Sequence, residues 1–134
     1  MSANVIDKLA WVQITDRKVL MTRSRGKDTY YIPGGKREAG EADAEALMRE
    51  VREELSVQLL PDMIQYLGTF EAQAHGKAEG VIVRMTCYWS DFEGDLQPAS
   101  EIEEMAWFRY PDRKKSSPVD HLIFEWLKQR DLID

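Results

Sequence analysis

The sequence is poor in cysteine, in histidine and in long apolar runs. It contains one cysteine and two histidines among 134 residues. A single cysteine, Cys87, cannot form a disulfide within the chain, and its apolar neighbours predict a buried structural thiol. No apolar run reaches the roughly 20 residues that span a bilayer, and residues 1–5 lack the basic and apolar regions of a signal peptide. We therefore expect a cytoplasmic protein that does not enter a membrane.

Basic side chains are too few for a protein that coats nucleic acid. The chain has 18 lysines and arginines against 24 acidic residues, which gives a formal net charge of -6. A polymer-binding protein needs a basic face to neutralise phosphates. Small anions are not excluded, because a bound metal ion reverses the sign of the local potential. The composition thus argues against a nucleic-acid polymer as partner and leaves small phosphate-containing ligands open.

The pattern of apolar residues predicts one α+β domain over residues 1–134. Strands are predicted at 9–15 and 18–23, joined by a tight turn, and at 29–32, 64–70, 81–92 and 105–108. One helix is predicted over about residues 42–55, and a second begins after Ser117, with Pro118 in its first turn and Leu122 on its apolar face. The order of strands, helix, strands and helix predicts a mixed sheet with a helix on each face.

The first predicted helix and the loop before it carry an unusual concentration of acid. Residues 35–57 hold seven acidic and four basic side chains, so half of the net charge of -6 lies in this segment. On a helical wheel of roughly 100° per residue, Glu54 lies near +40° and Glu53 near -60° from Glu50. The apolar stripe covers about +60° to +160°, so the three carboxylates crowd an edge beside the buried face.

Two interpretations fit this acidic edge. The first is a solvated face whose charges are paired along the helix, as Glu45 with Arg49 or Arg49 with Glu53. The second is a site for Mg²⁺ or Mn²⁺, because half-buried carboxylates repel one another unless a cation neutralises them. Residues 33–35, Pro-Gly-Gly, favour the second interpretation. They predict a rigid turn where the backbone of Gly34 and Gly35 can approach a ligand closely.

The spacing of the residues in this segment resembles the Nudix box. Gly35 is followed after five residues by Glu41 and, after seven more, by the run Arg49-Glu50-Val51-Arg52-Glu53-Glu54-Leu55-Ser56-Val57. Residues 35–57 match every fixed position of the family pattern except its last glycine, which is Ser56 here. A positive φ is often needed at that point, so Ser56 should cost about 1 kcal/mol or mark a different turn.

The resemblance implies the Nudix α/β/α sandwich and hydrolysis of a nucleoside diphosphate linked to another moiety, with Mg²⁺ or Mn²⁺ as cofactor. It implies that Glu50, Glu53 and Glu54 are metal ligands and that one of them is the base. Arg49 would orient a neighbouring carboxylate, and we expect Arg49, Glu50 and Glu53 to be the catalytic residues. Glu41 would hold the loop against the helix or reach a metal ion through water.

The same resemblance implies that a backbone carbonyl of Gly34 or Gly35 completes the metal shell.

Further candidates adjoin the box in the sequence. Basic side chains can hold an outer phosphate and an aromatic ring can pack against a base. The substrate-binding candidates are Arg23, Arg25 and Tyr31, and Arg23 resembles substrate-contacting positions in MutT-like enzymes. A downstream glutamate often adds a ligand or the base in the family, which makes Glu101 and Glu104 candidates.

The compact length and the Gly-Lys pair after the proline resemble the MutT-like branch. That branch converts a nucleoside triphosphate, oxidised ones such as 8-oxo-dGTP included, into a monophosphate and pyrophosphate. The alternatives are an ADP-ribose, dinucleoside polyphosphate or nucleotide-sugar pyrophosphatase, or a non-catalytic module that binds a nucleotide. The complete set of charged box residues argues against the last. Many relatives form dimers, and a homodimer is left open.

Overall fold

The computed structural model describes residues 4–134; the first three residues, part of the segment that lacks signal-peptide character, lie outside the described residues. Within that range the chain forms nine strands and two α-helices. The strands are β1 (Val5–Trp11), β2 (Ile14–Thr15), β3 (Lys18–Ser24), β4 (Gly34–Gly35), β5 (Gln58–Leu59), β6 (Gln65–Gln73), β7 (Ile82–Trp89), β8 (Phe92–Glu93) and β9 (Ile102–Phe108). The helices are α1 (Asp43–Leu55) and α2 (Pro118–Gln129), and short 3₁₀ helices cover Pro61–Met63 and Tyr110–Lys115.

A mixed sheet lies between the two helices. Its strand order is β4-β1-β7-β6, with β1 parallel to β7 and the other pairs antiparallel. Because side chains alternate along a strand, Leu9 packs in one core cluster with Leu47 of α1, and Ala10 packs in the other with Phe124 of α2. A second, antiparallel sheet has the order β2-β3-β9, and β5 pairs with β8. The predicted α+β fold with a mixed sheet between helices is confirmed.

The predicted strand over residues 9–15 is wrong in its extent. β1 begins at Val5 and ends at Trp11, and only Ile14–Thr15 pairs with β3. The segment therefore contributes strands to two sheets. The start of β1 was not predicted because Asp7 and Lys8 interrupt the apolar pattern there. The predicted tight turn is confirmed at Asp16 and Arg17, which both have positive φ values of 52° and 62°.

The predicted strand over residues 29–32 is also wrong. Tyr31 exchanges backbone hydrogen bonds with Thr22, whereas the N–H of Tyr30 donates to the carbonyl of Lys115. Neighbouring residues thus bond to different parts of the chain, so no continuous ladder forms. The predicted turn at residues 33–35 instead contains β4, in which Gly34 and Gly35 pair with β1.

Two further boundaries differ from the prediction. The segment 81–92 is not one strand, because β7 ends at Trp89 and Phe92 starts a separate pair with β5. Helix α2 has Ser117 as its N-cap, as predicted, but Leu122 is 42% exposed and does not belong to the buried face. Its buried apolar residues are Val119, Ile123, Phe124 and Leu127.

Cys87 is fully buried in β7, as predicted, and burial raises the pKa of its thiol. No helix found among residues 4–134 combines the length and the apolar character needed to cross a membrane.

Asp120, in the first turn of α2, is fully buried. The hydroxyl of Ser117 donates to its Oδ2 atom over 2.9 Å, while Oδ1 has no hydrogen-bond partner in the described part of the chain. Burial raises the pKa of Asp120 to about 7, above its ordinary value of 3.8. A raised carboxyl pKa means that the folded state prefers the protonated form. Its contribution to stability is complete below pH 4 and falls as the pH rises towards 7.

We expect Asp120→Asn to remove this pH dependence, because an amide fills the same space without a charge to bury. The free energy of unfolding of the variant should exceed that of wild type by a margin that grows by about 3 kcal/mol between pH 5 and pH 8. Urea unfolding at both pH values measures the margin, and Asp95→Asn in an exposed loop is the matched control. An equal margin at the two pH values would show that Asp120 is ionised in the folded protein throughout.

Candidate active site

The three carboxylates on α1 differ in burial in the order that the helical wheel predicts. Glu54, nearest the apolar stripe, is only 7% exposed. The side chain of Glu50 is 18% exposed and that of Glu53, farthest from the stripe, is 52% exposed. The acidic edge of the helix therefore begins in the protein interior and ends in solvent.

Arg49 is the common partner of the acidic residues around the start of this edge. Its Nε and Nη2 atoms donate to the two carboxylate oxygens of Glu41 over 2.7 and 2.9 Å. Its Nη1 atom donates to Glu50 over 3.1 Å and to Glu53 over 3.3 Å. Nη2 also donates to the carbonyl of Lys36. One guanidinium thus links the loop after β4 to two acidic residues of α1.

The electrostatics agree with this geometry. The guanidinium of Arg49 lowers the pKa of Glu41 to about 2 through their two hydrogen bonds. Burial raises the pKa of Glu50, although Arg49 acts in the opposite direction. The expected pair Arg49 with Glu53 is present, whereas Glu45 accepts a hydrogen bond from the backbone N–H of Ala42 and closes the start of the helix.

Two glycines let β4 pass between β1 and the helix. Gly34 has a φ of +148°, and a Cβ atom there would lie 1.9 Å from the carbonyl oxygen of Leu9. A Cβ atom on Gly35 would lie 2.5 to 2.8 Å from the carboxyl group of Glu50. Both contacts are far shorter than van der Waals distance, so this strand and the Glu50 carboxylate fit together only without a side chain.

Glu54 is buried without a cationic side chain to pair with it. The N–H of Gly34 donates to its Oε1 atom over 3.2 Å, and no ion pair to Glu54 is present among residues 4–134. Burial raises its pKa to about 8, and the hydrogen bond from Gly34 offsets only part of this effect. Keeping an ionised carboxylate here would cost free energy unless a cation binds it.

An open cavity of about 700 Å³ lies beside these residues. Its wall includes Gly34, Gly35, Glu50 and Glu54 at one side and Tyr31 at another. Two backbone hydrogen bonds, from Gln97 and Ala99 to the carbonyls of Leu55 and Glu54, fix the loop before β9 against the end of α1. This loop brings Glu101 to the cavity wall.

The donor atoms at the cavity suit a hard divalent cation such as Mg²⁺ or Mn²⁺. Carboxylate and backbone carbonyl oxygens are the ligands that these ions prefer, and Glu54 is a buried acid that lacks a cationic partner. The predicted ligands do not converge, however. In the described chain no three His, Cys, Asp or Glu side chains come together as a metal-holding group. Glu53 contacts Arg49 and Glu54 contacts Gly34 instead.

Ser56, which replaces the last glycine of the box, adopts the left-handed conformation that the glycine would favour. Its φ is 68°, and its hydroxyl donates to the carbonyl of Gln97 over 3.2 Å. The turn is therefore retained with a serine, at a backbone cost of about 1 kcal/mol. The hydroxyl also fastens the loop that carries Glu101.

Arg23, Arg25 and Glu104 lie outside the cavity wall. Arg23 donates to Glu104 over 3.0 and 3.2 Å, and the hydroxyl of Tyr30 donates to the same Glu104 oxygen over 2.8 Å. These bonds lower the pKa of Glu104. Arg25 donates to the carbonyl of Ser100. The three side chains thus hold together the loops beside the cavity, while Tyr31 and Glu101 line it.

Several cavity residues were not singled out by the motif. Lys8 on β1 and Lys36 after β4 line the wall, as does His75 in the loop between β6 and β7. A signal for Lys8 exists in the sequence: it is the one charged residue in the alternating series Ile6, Lys8, Ala10 of β1. An isolated charge on an otherwise buried strand face needs a partner or an opening to solvent.

Comparisons with known proteins agree with the box. A family model described as NUDIX domain matches residues 8–127. No curated protein sequence matches significantly. Among solved structures, the ORF135 protein of E. coli has 26% identity and a TM-score of 0.74, over 95% of this chain and 91% of that one. The MutT NUDIX hydrolase of Burkholderia pseudomallei has 21% identity and a TM-score of 0.72, over 93% and 97%. The MutT protein of Methanosarcina mazei Go1 has 17% identity and a TM-score of 0.76, over 98% of both chains. The last two likenesses show the fold.

We expect Gly35→Ala to displace the Glu50 carboxylate, because the added methyl group would occupy its position. Divalent-metal-dependent hydrolysis should fall at least tenfold, measured as kcat/KM on the best substrate found. Gly68→Ala is the matched control, since Gly68 lies on β6 and a Cβ there would meet only the ring of Phe70, at 3.3 Å. Equal activity of the two variants, both folded by circular dichroism, would contradict the packing of Glu50 against Gly35.

Proposed function

The chain belongs to the Nudix family of pyrophosphohydrolases, and on that premise we propose that it hydrolyses nucleoside triphosphates to a monophosphate and pyrophosphate, with Mg²⁺ or Mn²⁺ as cofactor. The observation that carries this proposal is the composition of the cavity. The buried Glu54 and the half-buried Glu50, whose pKa values are both raised, share one cavity with the aromatic ring of Tyr31. Perturbed acids together with an apolar surface are typical of an enzyme site for a ligand with a charged end and a ring.

The size and charge of the cavity support a nucleoside triphosphate. About 700 Å³ lies within the usual range of small-molecule sites. Lysines also line the wall and can attract phosphate oxygens. The lysines on the side of the cavity near α1 and the loops are Lys27, Lys36 and Lys77. A phosphate chain beside α1 leaves the nucleoside to reach the side of the cavity that contains Tyr31.

The reaction needs a water molecule, a base and stabilisation of charge. Water attacks one phosphorus atom in line with the bridging oxygen, the P–O bond on the far side breaks, and the water loses a proton to a carboxylate. When bound, the divalent cation neutralises charge on the non-bridging oxygens and makes the attacking water more acidic. No covalent nucleophile is required.

Within this proposal, Glu50, Glu53 and Glu54 would hold the cation together with a backbone carbonyl of Gly34 or Gly35, which requires their side chains to move closer together than the hydrogen bonds described above place them. Arg49 positions Glu50 and Glu53 through the hydrogen bonds described above. Glu53 is the most solvent-accessible of the three carboxylates, so it can accept the proton from water and release it to solvent. Glu101 at the cavity wall is a second candidate for a ligand or base.

We expect Glu53→Gln and Glu54→Gln each to reduce Mg²⁺-dependent release of pyrophosphate by a hundredfold or more, because an amide neither accepts a proton nor neutralises a cation. The assay measures monophosphate and pyrophosphate from a panel of nucleoside triphosphates by ion-exchange chromatography. Glu125→Gln, an exposed acid on α2, is the matched control.

Full activity in both glutamine variants would remove these carboxylates from the mechanism. Cleavage of ADP-ribose or of a nucleotide sugar in the same panel, without cleavage of any triphosphate, would replace the proposed substrate class and leave the site assignment in place.

A further inference from the structure

Lys8 occupies a position that the hydrolysis of phosphates does not explain. In β1 its neighbour Leu9 packs towards α1, and alternation along the strand places Lys8 on the opposite face, with Ala10. Met85 of β7 is its register partner and belongs to the core cluster on the α2 side. The lysine therefore lies on the face of the sheet that is turned away from the acidic helix.

A small apolar pocket surrounds Lys8 on this face. It has a volume of about 70 Å³, and its wall includes Tyr31, Val83, Met85 and Val119. Lys8, Tyr31 and Met85 also line the large cavity, so the two spaces adjoin each other at these side chains. A ligand whose charged end lies at Glu50 and Glu54 and which extends past Tyr31 would place its least charged end in this pocket.

The ammonium group of Lys8 is half-buried and has no fixed partner. Its Nζ atom lies 5.9 Å from the centre of the Tyr31 ring. Asp120, Glu54 and Glu50 act on it electrostatically, but none of them is within ion-pair distance in the part of the chain that the structure describes. A donor in this position gains a hydrogen bond when a ligand presents an acceptor oxygen.

We propose that Lys8 is a specificity-determining residue that donates a hydrogen bond to an exocyclic carbonyl oxygen of the substrate's base, which packs against Tyr31. This inference rests on the proposed function and names the base class of its substrates: bases with an exocyclic oxo group, such as guanine and hypoxanthine, are favoured over adenine, which has none. An ammonium group has donors and no acceptor. The 6-oxo group accepts a hydrogen bond from it, whereas the 6-amino group of adenine presents donors of its own.

Two other roles for Lys8 make different predictions. If Lys8 held a phosphate, its removal would weaken all nucleotides alike, because they share the phosphate chain. If Lys8 served only as a counter-charge for the buried Asp120, its removal would change stability and leave nucleotide preference unchanged. The position of Lys8 on the face opposite α1 and its apolar surroundings favour contact with the base.

The test compares inosine triphosphate with ATP, which carry an oxo and an amino group at position 6. We expect wild type to prefer ITP and GTP to ATP by about tenfold or more in kcat/KM. Lys8→Met should lower kcat/KM for ITP and GTP about tenfold with little change for ATP. Lys8→Arg retains the donor and should keep the preference. Lys36→Met is the matched control: Lys36 is an exposed lysine on the same cavity wall, and its loss should leave the ITP-to-ATP ratio unchanged.

A binding measurement separates this inference from the proposed hydrolysis. Calorimetric titration with the monophosphates IMP and AMP should show tighter binding of IMP to wild type and equal binding of both to Lys8→Met. If this preference is found but no triphosphate is cleaved, the proposed function fails and the inference stands. The inference is overturned if wild type lacks the preference, if Lys8→Met weakens all nucleotides by one factor, or if it lowers only the melting temperature.

Discussion

The site depends on one half-buried guanidinium, that of Arg49. Arg49 joins Glu41, Glu50, Glu53 and the carbonyl of Lys36 through hydrogen bonds of 2.7 to 3.3 Å. Without it, the acidic edge of α1 would hold like charges three and four residues apart, which destabilise a helix. Because the planar guanidinium binds both oxygens of Glu41 at once, it fixes the orientation of this carboxylate as well as neutralising its charge. The loop after β4 and the helix therefore keep one relative position, and the carboxylates keep theirs.

The mixed sheet also fixes the position of the loop relative to α1, through β4. β4 is only two residues long, and it lies so close to the backbone of β1 that Gly34 has no room for a side chain, while a side chain at Gly35 would displace the Glu50 carboxylate. The same sheet carries Leu9 towards the acidic helix and Lys8 towards α2, so one strand contributes to both sides of the cavity. The proposed roles follow from this alternation. On the face of the sheet towards α1, carboxylates bind the phosphate chain through the cation, and on the face towards α2, Lys8 donates a single hydrogen bond to the base.

The sequence predicted the parts of this arrangement that depend on local spacing. The helical wheel placed Glu54 nearest to the apolar stripe and Glu53 farthest from it, which agrees with their burial. For Ser56 the sequence left either a strained positive φ or a different turn, and the structure has the positive φ. The prediction from sequence was wrong where pairing with distant residues determines whether a segment forms a strand and where the strand begins. Residues 29–32 have strand composition but bond to two distant segments, and β1 extends through polar residues that a pattern of apolar runs excludes. Lys8 was not predicted for that reason, since its place in the alternating series can be seen only once β1 is known to begin at Val5.

The planar fork of Arg49, and not merely its charge, holds the acidic residues of the site together. The most direct measurement is the Mg²⁺ dependence of hydrolysis in Arg49→Lys, with thermal unfolding as a check on the fold. Lysine keeps the charge but cannot bind both oxygens of Glu41 while also reaching Glu50 and Glu53. We predict at least a tenfold loss of kcat and a higher Mg²⁺ concentration for half-maximal rate in a protein that remains folded. Activity and Mg²⁺ dependence equal to those of wild type would show that a positive charge at position 49 is sufficient and that the fork is not needed.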